Sequence, residues 1–116
     1  MSGSSKSFRV LPGGALRGQV RVPGDKSISH RAIMRGALAE GTSRVTGFLE
    51  GQDSLATLQA FRAMGVDIEG PTDGRVVIRG VGMHGLQASR APLDLGNSGT
   101  SMRLLSGLLS GQDFES

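Results

Sequence analysis

Apolar residues recur along this chain in two periods. From Leu16 to Val22 they alternate, with Leu16, Gly18, Val20 and Val22 on one face and Arg17, Gln19 and Arg21 on the other, the pattern of a half-buried strand. Thr42 to Phe48 alternates in the same way, and Phe8 to Leu11 is a shorter strand candidate stopped by Pro12-Gly13-Gly14. In between, the period lengthens. Ile28, Ala32, Ile33, Ala37 and Leu38 fall inward on a helix from about Ile28 to Ala39, with Gly41 just past its end. A second helix follows Gly51-Gln52, with Asp53 as its cap, Leu55, Leu58 and Phe61 near one face, Met64 a turn further on and Gly65 as its stop. Val66 to Glu69 and Arg75 to Arg79 are short strands around Pro71-Thr72-Asp73-Gly74, a hairpin signal. Val81 to Pro92 is a glycine-rich loop, Leu93 to Leu95 a last strand, and Ser98 or Thr100 opens a third helix through about Leu109.

The predicted order is strand, helix, strand, helix, hairpin, then strand and helix again. A shift of 71 places lays Lys26 on Asn97, Ser27 on Ser98, Ile33 on Leu104, Met34 on Leu105, Gly36 on Gly107 and Leu38 on Leu109. Each copy opens a helix with a polar, hydroxyl-rich turn after a strand. A unit that cannot close its own core needs further copies beside it.

The chemistry concentrates where the first strand meets the first helix, in Val22-Pro23-Gly24-Asp25-Lys26-Ser27-Ile28-Ser29-His30-Arg31. A strand-turn-helix of this kind aims free N–H groups, a lysine and several hydroxyls at one space, which is what an anion needs, phosphate above all. Lys26 supplies a point charge, Ser27 a hydroxyl and the expected N-cap, and Arg31 lies one helical turn on. An ordinary turn, cap and solvated face would produce the same spacing.

Leu93-Asp94-Leu95-Gly96-Asn97-Ser98-Gly99-Thr100-Ser101-Met102-Arg103 is the second constellation. Gly99 lets a ligand approach the backbone, N–H groups there can hold an anion, and Thr100 and Ser101 add donors. A glycine-rich turn without a ligand fits the same residues. His30 reads as a structural neighbour of the first motif, His84 as a solvent-exposed loop residue, Asp53 as a cap, and Arg35 and Arg62 as exposed helix faces.

Composition narrows the classes. At 116 residues, with 37% hydrophobic and 20% charged residues, the chain is one small domain or a piece of a larger one. Four Phe with no Tyr or Trp leave no aromatic platform for stacking bases, and a net charge of +3 over scattered arginines favours small anions over nucleic acid. No cysteine excludes disulfides and thiolate metal sites, and two isolated histidines make no metal site. No run approaches the length of a membrane span and the N-terminus lacks an apolar leader, so a cytoplasmic location without membrane attachment is expected.

The string Pro-Gly-Asp-Lys-Ser-Ile-Ser-His-Arg resembles the N-terminal signature of the EPSP synthases (3-phosphoshikimate 1-carboxyvinyltransferases), and Leu-Gly-Asn-Ser-Gly-Thr-Ser-Met-Arg is similar to the segment that borders their phosphoenolpyruvate and glyphosate site. The resemblance runs from about Leu11 to the last residue and covers the first quarter or so of the family's length. It implies an incomplete α/β fold, the βαβαββ repeat of the two-lobed enolpyruvyl transferases (an inside-out α/β barrel). Residues 1–22 would be a flexible tail and the first strands of lobe one; residues 23–116 would be the first repeat and the start of the second in lobe two.

It also implies roles. Lys26 would be catalytic and contact both substrates, Ser27 and Arg31 would hold shikimate 3-phosphate, and Asn97, Gly99 and Thr100 would border phosphoenolpyruvate. The reaction would move the enolpyruvyl group to the 5-hydroxyl of shikimate 3-phosphate with release of phosphate, in aromatic amino acid biosynthesis. No cofactor or metal is implied. The partner would be the C-terminal remainder of the enzyme, which supplies the proton-transfer groups, so the chain alone is expected to be inactive. One departure is Leu104, where many members have proline; Gly99 is retained, and with it the expected opening for glyphosate.

Three other readings compete. UDP-N-acetylglucosamine enolpyruvyl transferases are expected to carry Asn where this chain has Ser27. A non-catalytic anion-binding module would more often show the glycine spacing of a P-loop, which Gly-Asp-Lys-Ser lacks. A fragment that complements a separate C-terminal chain would carry these same residues.

Overall fold

The structure is a computed structural model that describes residues 5–116. Its first helix, α1 (Lys26–Leu38), begins before Ile28 because the cap is Asp25 and not Ser27. Asp25 is extended (φ −107°, ψ 138°), its Oδ1 accepts the Ile28 N–H at 2.8 Å, and its carbonyl accepts the Ser29 N–H at 3.0 Å. Ile28 consequently faces outward, while Ser29, His30, Ile33, Gly36 and Ala37 are buried. The helix ends at an extended Ala39, and Gly41 lies in the strand that follows.

That strand, β1 (Glu40–Val45), starts and stops earlier than the alternation implied. Phe48 has left the sheet and is buried, its N–H donating to the Gly74 carbonyl at 2.9 Å. Helix α2 (Gln52–Ala63) is capped by Gly51 with no side-chain bond, so Asp53 stands in its first turn and is free for another partner. Leu58, Phe61 and Met64 are buried as the helical period required.

Strands β2 (Asp67–Thr72) and β3 (Arg75–Val81) form the expected hairpin. Its turn is Asp73-Gly74, both at left-handed φ (50° and 72°), the geometry whose twist suits two antiparallel strands. The sheet order is β1-β3-β2 with both pairs antiparallel. Val76, Ile78 and Ile68 form its buried face, and on the other face Arg79 reaches Asp67 at 3.0 Å and Glu69 at 2.9 Å.

Helices α1 and α2 cover the buried face. Gly36 permits the close approach of α1, since a Cβ there would lie 2.8 Å from Ile78 Cδ1. Ile33, Leu58, Phe61 and Ile78 are fully buried in this layer, and each contributes about 1.5–3 kcal/mol of hydrophobic stabilisation. The last helix, α3 (Gly99–Leu109), opens at the first of the two expected positions, capped by Ser98 and not by Thr100 or Ser101, and fully buries Ser101 and Leu105.

Three expected strands do not form. Phe8 to Leu11, Leu16 to Val22 and Leu93 to Leu95 carry no strand pairing, because alternation prepares a segment for a sheet but only a neighbouring strand completes one. Leu16 and Val20 stand in solvent, at 104% and 88% exposure, whereas Leu93 and Leu95 pack against the core without pairing. The expected tail is therefore continuous with an exposed segment up to Asp25, its residues 1–4 lying outside those described. A radius of gyration of 18.6 Å records this extension, against about 13 Å for a compact chain of similar length. Among the described residues no helix is long and apolar enough to cross a membrane.

Candidate functional site

The Pro-Gly-Asp turn is seated on the loop between β1 and α2. Gly24 presses against this loop so closely that a Cβ would collide with the Gly47 carbonyl and lie 3.3 Å from the Leu49 nitrogen. Ser29 fastens the same contact, accepting the Leu49 N–H at 3.0 Å and donating to the Asp25 carbonyl at 2.7 Å. From the other side the hairpin tip holds the loop, with the Gly74 N–H donating to Glu50 Oε2 at 2.9 Å. The first turn of α1 is thus fixed, with Lys26, Ser27 and Arg31 exposed on it and Arg31 Nη1 donating to the Ser27 carbonyl at 3.1 Å.

The second motif is built in the same way. Ser98 Oγ accepts the Ser101 N–H at 3.0 Å, and Asp94 Oδ1 accepts the Gly96 N–H at 2.8 Å, which shapes the turn into α3. Asn97 and Gly99 are exposed and Thr100 is partly buried. A Cβ on Gly99 would meet nothing closer than the Arg103 guanidinium at 3.9 Å, so the backbone of this turn lies open.

A buried polar chain joins the two motifs. His30 Nδ1 lies 2.8 Å from Thr57 Oγ1, Thr57 Oγ1 lies 2.6 Å from Ser101 Oγ, and Ser98 Oγ donates to Ser101 Oγ at 2.7 Å. Ser101 Oγ is itself 3.5 Å from His30 Nδ1. One residue of α1, one of α2 and two at the start of α3 therefore share one network. The offset of 71 that aligns the motifs lays His30 on Ser101, so equivalent positions of the two copies meet. Burial first, then the nearby Lys26 ammonium, hold His30 below the usual histidine range, so its imidazole is neutral at pH 7. Its Nε2 and the hydroxyl of Ser54 are buried with no hydrogen-bond partner among the described residues.

Lys26 is not isolated. Its ammonium forms an ion pair with Asp53, the two side chains being 50% and 31% exposed. Asp53 is therefore a partner of the first motif and not a helix cap, and it brings a carboxylate to a place where neither motif has one to spare. Arg62 also departs from expectation. It is half-buried and clamps β2, donating to the Ile68 carbonyl at 3.1 and 2.6 Å and to the Gly70 carbonyl at 2.8 Å. His84 and Arg35 are exposed, as expected.

The sequence reading missed Asp53 and Thr57 as members of the site. Their spacing of i and i+4 on α2 was the available signal, since it puts both on one helix face beside the buried stripe. The arrangement can hold anions: the N-termini of α1 and α3 offer N–H groups, and Lys26, Arg31 and Arg103 offer charge. A cavity of about 530 Å³ between Met64, Leu93, Leu109 and Phe114 lies at the opposite end of α3 and takes no part in this.

Residues 10–116 match the family model described as EPSP synthase (3-phosphoshikimate 1-carboxyvinyltransferase). The chain is 74% identical over 108 residues to the 3-phosphoshikimate 1-carboxyvinyltransferase of Alkalilimnicola ehrlichii, covering 93% of this chain and 24% of that one. With the Nitrosococcus oceani enzyme of the same name it shares 66% identity over 115 residues, covering 99% and 26%. Among solved structures, EPSP synthase from Acinetobacter baumannii superposes with a TM-score of 0.78 at 71% identity, over 84% of this chain and 22% of that one. The chain thus spans about a quarter of the length of the curated relatives it matches. With both motifs inside the matched stretch and the fold shared, the chain belongs to the EPSP synthase (3-phosphoshikimate 1-carboxyvinyltransferase) family.

Proposed function

We propose that this chain forms one side of an enolpyruvyl-transfer site. In this reading, the enolpyruvyl group of phosphoenolpyruvate passes to the 5-hydroxyl of shikimate 3-phosphate, and phosphate leaves. Lys26 contacts both substrates. Ser27 and Arg31 hold the phosphate of shikimate 3-phosphate, while Asn97, Gly99 and Thr100 border phosphoenolpyruvate. The observation that carries the reading is the convergence of the two helix N-termini through the buried chain from His30 to Ser98.

The chemistry is addition followed by elimination. The 5-hydroxyl loses its proton as its oxygen bonds to C2 of phosphoenolpyruvate and C3 gains a proton, giving a tetrahedral ketal. Loss of a proton from C3 then restores the double bond as the C2–O bond to phosphate breaks. Residues of this chain serve the anionic side of both steps: the ammonium of Lys26 and the exposed N–H groups of the turns lower the cost of gathering two phosphates and a carboxylate. The groups that move the protons come from the remainder of the enzyme, together with the strands that residues 8–22 lack. Residues 1–22 belong to the first lobe in this reading, residues 23–116 to the second, and the place of action is the cytoplasmic route to aromatic amino acids. Glyphosate would occupy the space in front of Gly99.

The test is release of phosphate from phosphoenolpyruvate plus shikimate 3-phosphate, with the chain alone and then combined with the remaining three quarters of the Alkalilimnicola ehrlichii relative. Silence alone and turnover on combination is the expected result. Turnover by the chain alone would overturn the division of the site.

A further inference from the structure

Thr57 stands where the three helices meet, and no step of the transfer chemistry uses it. Its side chain is buried, and its hydroxyl bonds His30 on one side and Ser101 on the other. The two helices it joins are held very differently. α1 is fixed to the sheet by Ile33, Gly36 and Ala37, all buried. α3 buries Ser101 and Leu105 and rests Leu108 and Leu109 against the core, so its C-terminal half is held by apolar packing and its first turn by the hydrogen bonds.

Ser98 donates to Ser101, and the Thr57 hydroxyl bridges Ser101 Oγ at 2.6 Å and His30 Nδ1 at 2.8 Å. Valine at 57 would keep the shape but break two bonds at once, leaving Ser101 Oγ and His30 Nδ1 only the longer 3.5 Å contact with each other. Closing that contact would shift the first turn of α3, and with it Asn97, Gly99 and Thr100, relative to Lys26.

We infer that Thr57 is a positioning residue for enolpyruvyl transfer: without touching either substrate, it holds the first turn of α3 at a fixed separation from Lys26 and Arg31 on α1. The inference rests on the proposed function, and it adds the device that keeps the phosphoenolpyruvate side in register with the shikimate 3-phosphate side.

The test uses a chimera in which this chain replaces the segment it matches in the Alkalilimnicola ehrlichii relative. Rates are measured well below the melting temperature of every variant. Thr57→Val is expected to raise KM for phosphoenolpyruvate about tenfold and to change KM for shikimate 3-phosphate by less than about twofold. Thr57→Ser restores both, because it returns the hydroxyl. Ser101→Ala, which leaves the His30–Thr57 bond in place and cuts the link to α3 together with the Ser98–Ser101 hydroxyl bond, is expected to reproduce the selective rise, and it decides the matter if Thr57→Val does not fold. Unchanged KM values, equal rises for the two substrates, or failure of Thr57→Ser to restore function would overturn the inference. An unsubstituted chimera without turnover would instead defeat the proposed function.

Discussion

The ammonium of Lys26 on α1 is paired with the carboxylate of Asp53 on α2, so the principal cation of the first motif already has an anionic partner in the unliganded chain. An incoming phosphate has to compete with that carboxylate or share the lysine with it. Asp53→Asn is therefore expected to tighten binding of inorganic phosphate to the chain by about two- to threefold at low salt, the scale of a half-exposed ion pair. The gain should shrink as ionic strength rises. A phosphate titration followed by amide shifts in the first turn of α1 measures it. Weaker binding in the variant would mean that Asp53 aims the lysine instead of competing for it.

His30 sets a dependence on pH. Its folded value lies below the ordinary histidine value, because burial and then Lys26 oppose the charged form. The unfolded chain consequently takes up a proton that the folded chain refuses, and stability falls as pH drops below about 6.5 toward the folded value. Urea midpoints between about pH 7.5 and about pH 5.5 should decline for the unsubstituted chain. His30→Asn should be less stable at neutral pH and nearly flat across that interval. A decline of equal size in the variant would assign the effect to another group.

Gly36 marks the closest approach of α1 to the sheet. In Gly36→Ala the new methyl would lie 2.8 Å from Ile78 Cδ1 and 3.3 Å from its Cβ and Cγ2, so the helix or the strand must shift. The expected loss is about 1–3 kcal/mol, the usual result of overpacking, and it exceeds the helix-propensity gain of alanine. Pairing it with Ile78→Val, which removes the atom in closest contact, should return part of that stability in a two-variant cycle.

Gly99→Ala offers the opposite case. Its Cβ would enter open space, so folding of the chain should be unaffected, with a melting temperature within the error of measurement. In the assembled enzyme the same methyl would stand in front of the turn assigned to phosphoenolpyruvate. Inhibition by glyphosate, the longer ligand, should weaken more than the KM for phosphoenolpyruvate rises. Equal losses would show that the methyl does not discriminate by length.

The elements legible in the sequence are those whose bonds are local. The three helices and the Asp-Gly hairpin follow from period and turn chemistry within a dozen residues, and all four form. The strands at Leu16 to Val22 and Leu93 to Leu95 had equally clear alternation, but among the described residues no strand pairs with them. That Asp25 caps α1 in place of the expected Ser27 shows only in the dihedral angles, since both residue types cap helices. Of the candidate site, the two glycine-bearing turns and their exposed side chains could be read from the motifs. For Asp53 and Thr57 the one signal was their i and i+4 spacing, which puts them on a common helix face but names no partner for that face. Each is 27 residues from the α1 partner it meets, a separation that no local rule spans.

The loop from Gly47 to Glu50 touches Gly24 on one side and the hairpin tip at Gly74 on the other. The ten-residue string that identifies the family is therefore not a portable module. A synthetic peptide of Val22 to Arg31, or the same string grafted onto a foreign strand and helix, would lack the ledge on which its glycine rests, and the brace that steadies the ledge comes from a turn some fifty positions downstream. Recognition by motif and transfer of activity by motif are different matters here: the letters travel with ten residues, the shape with most of the chain.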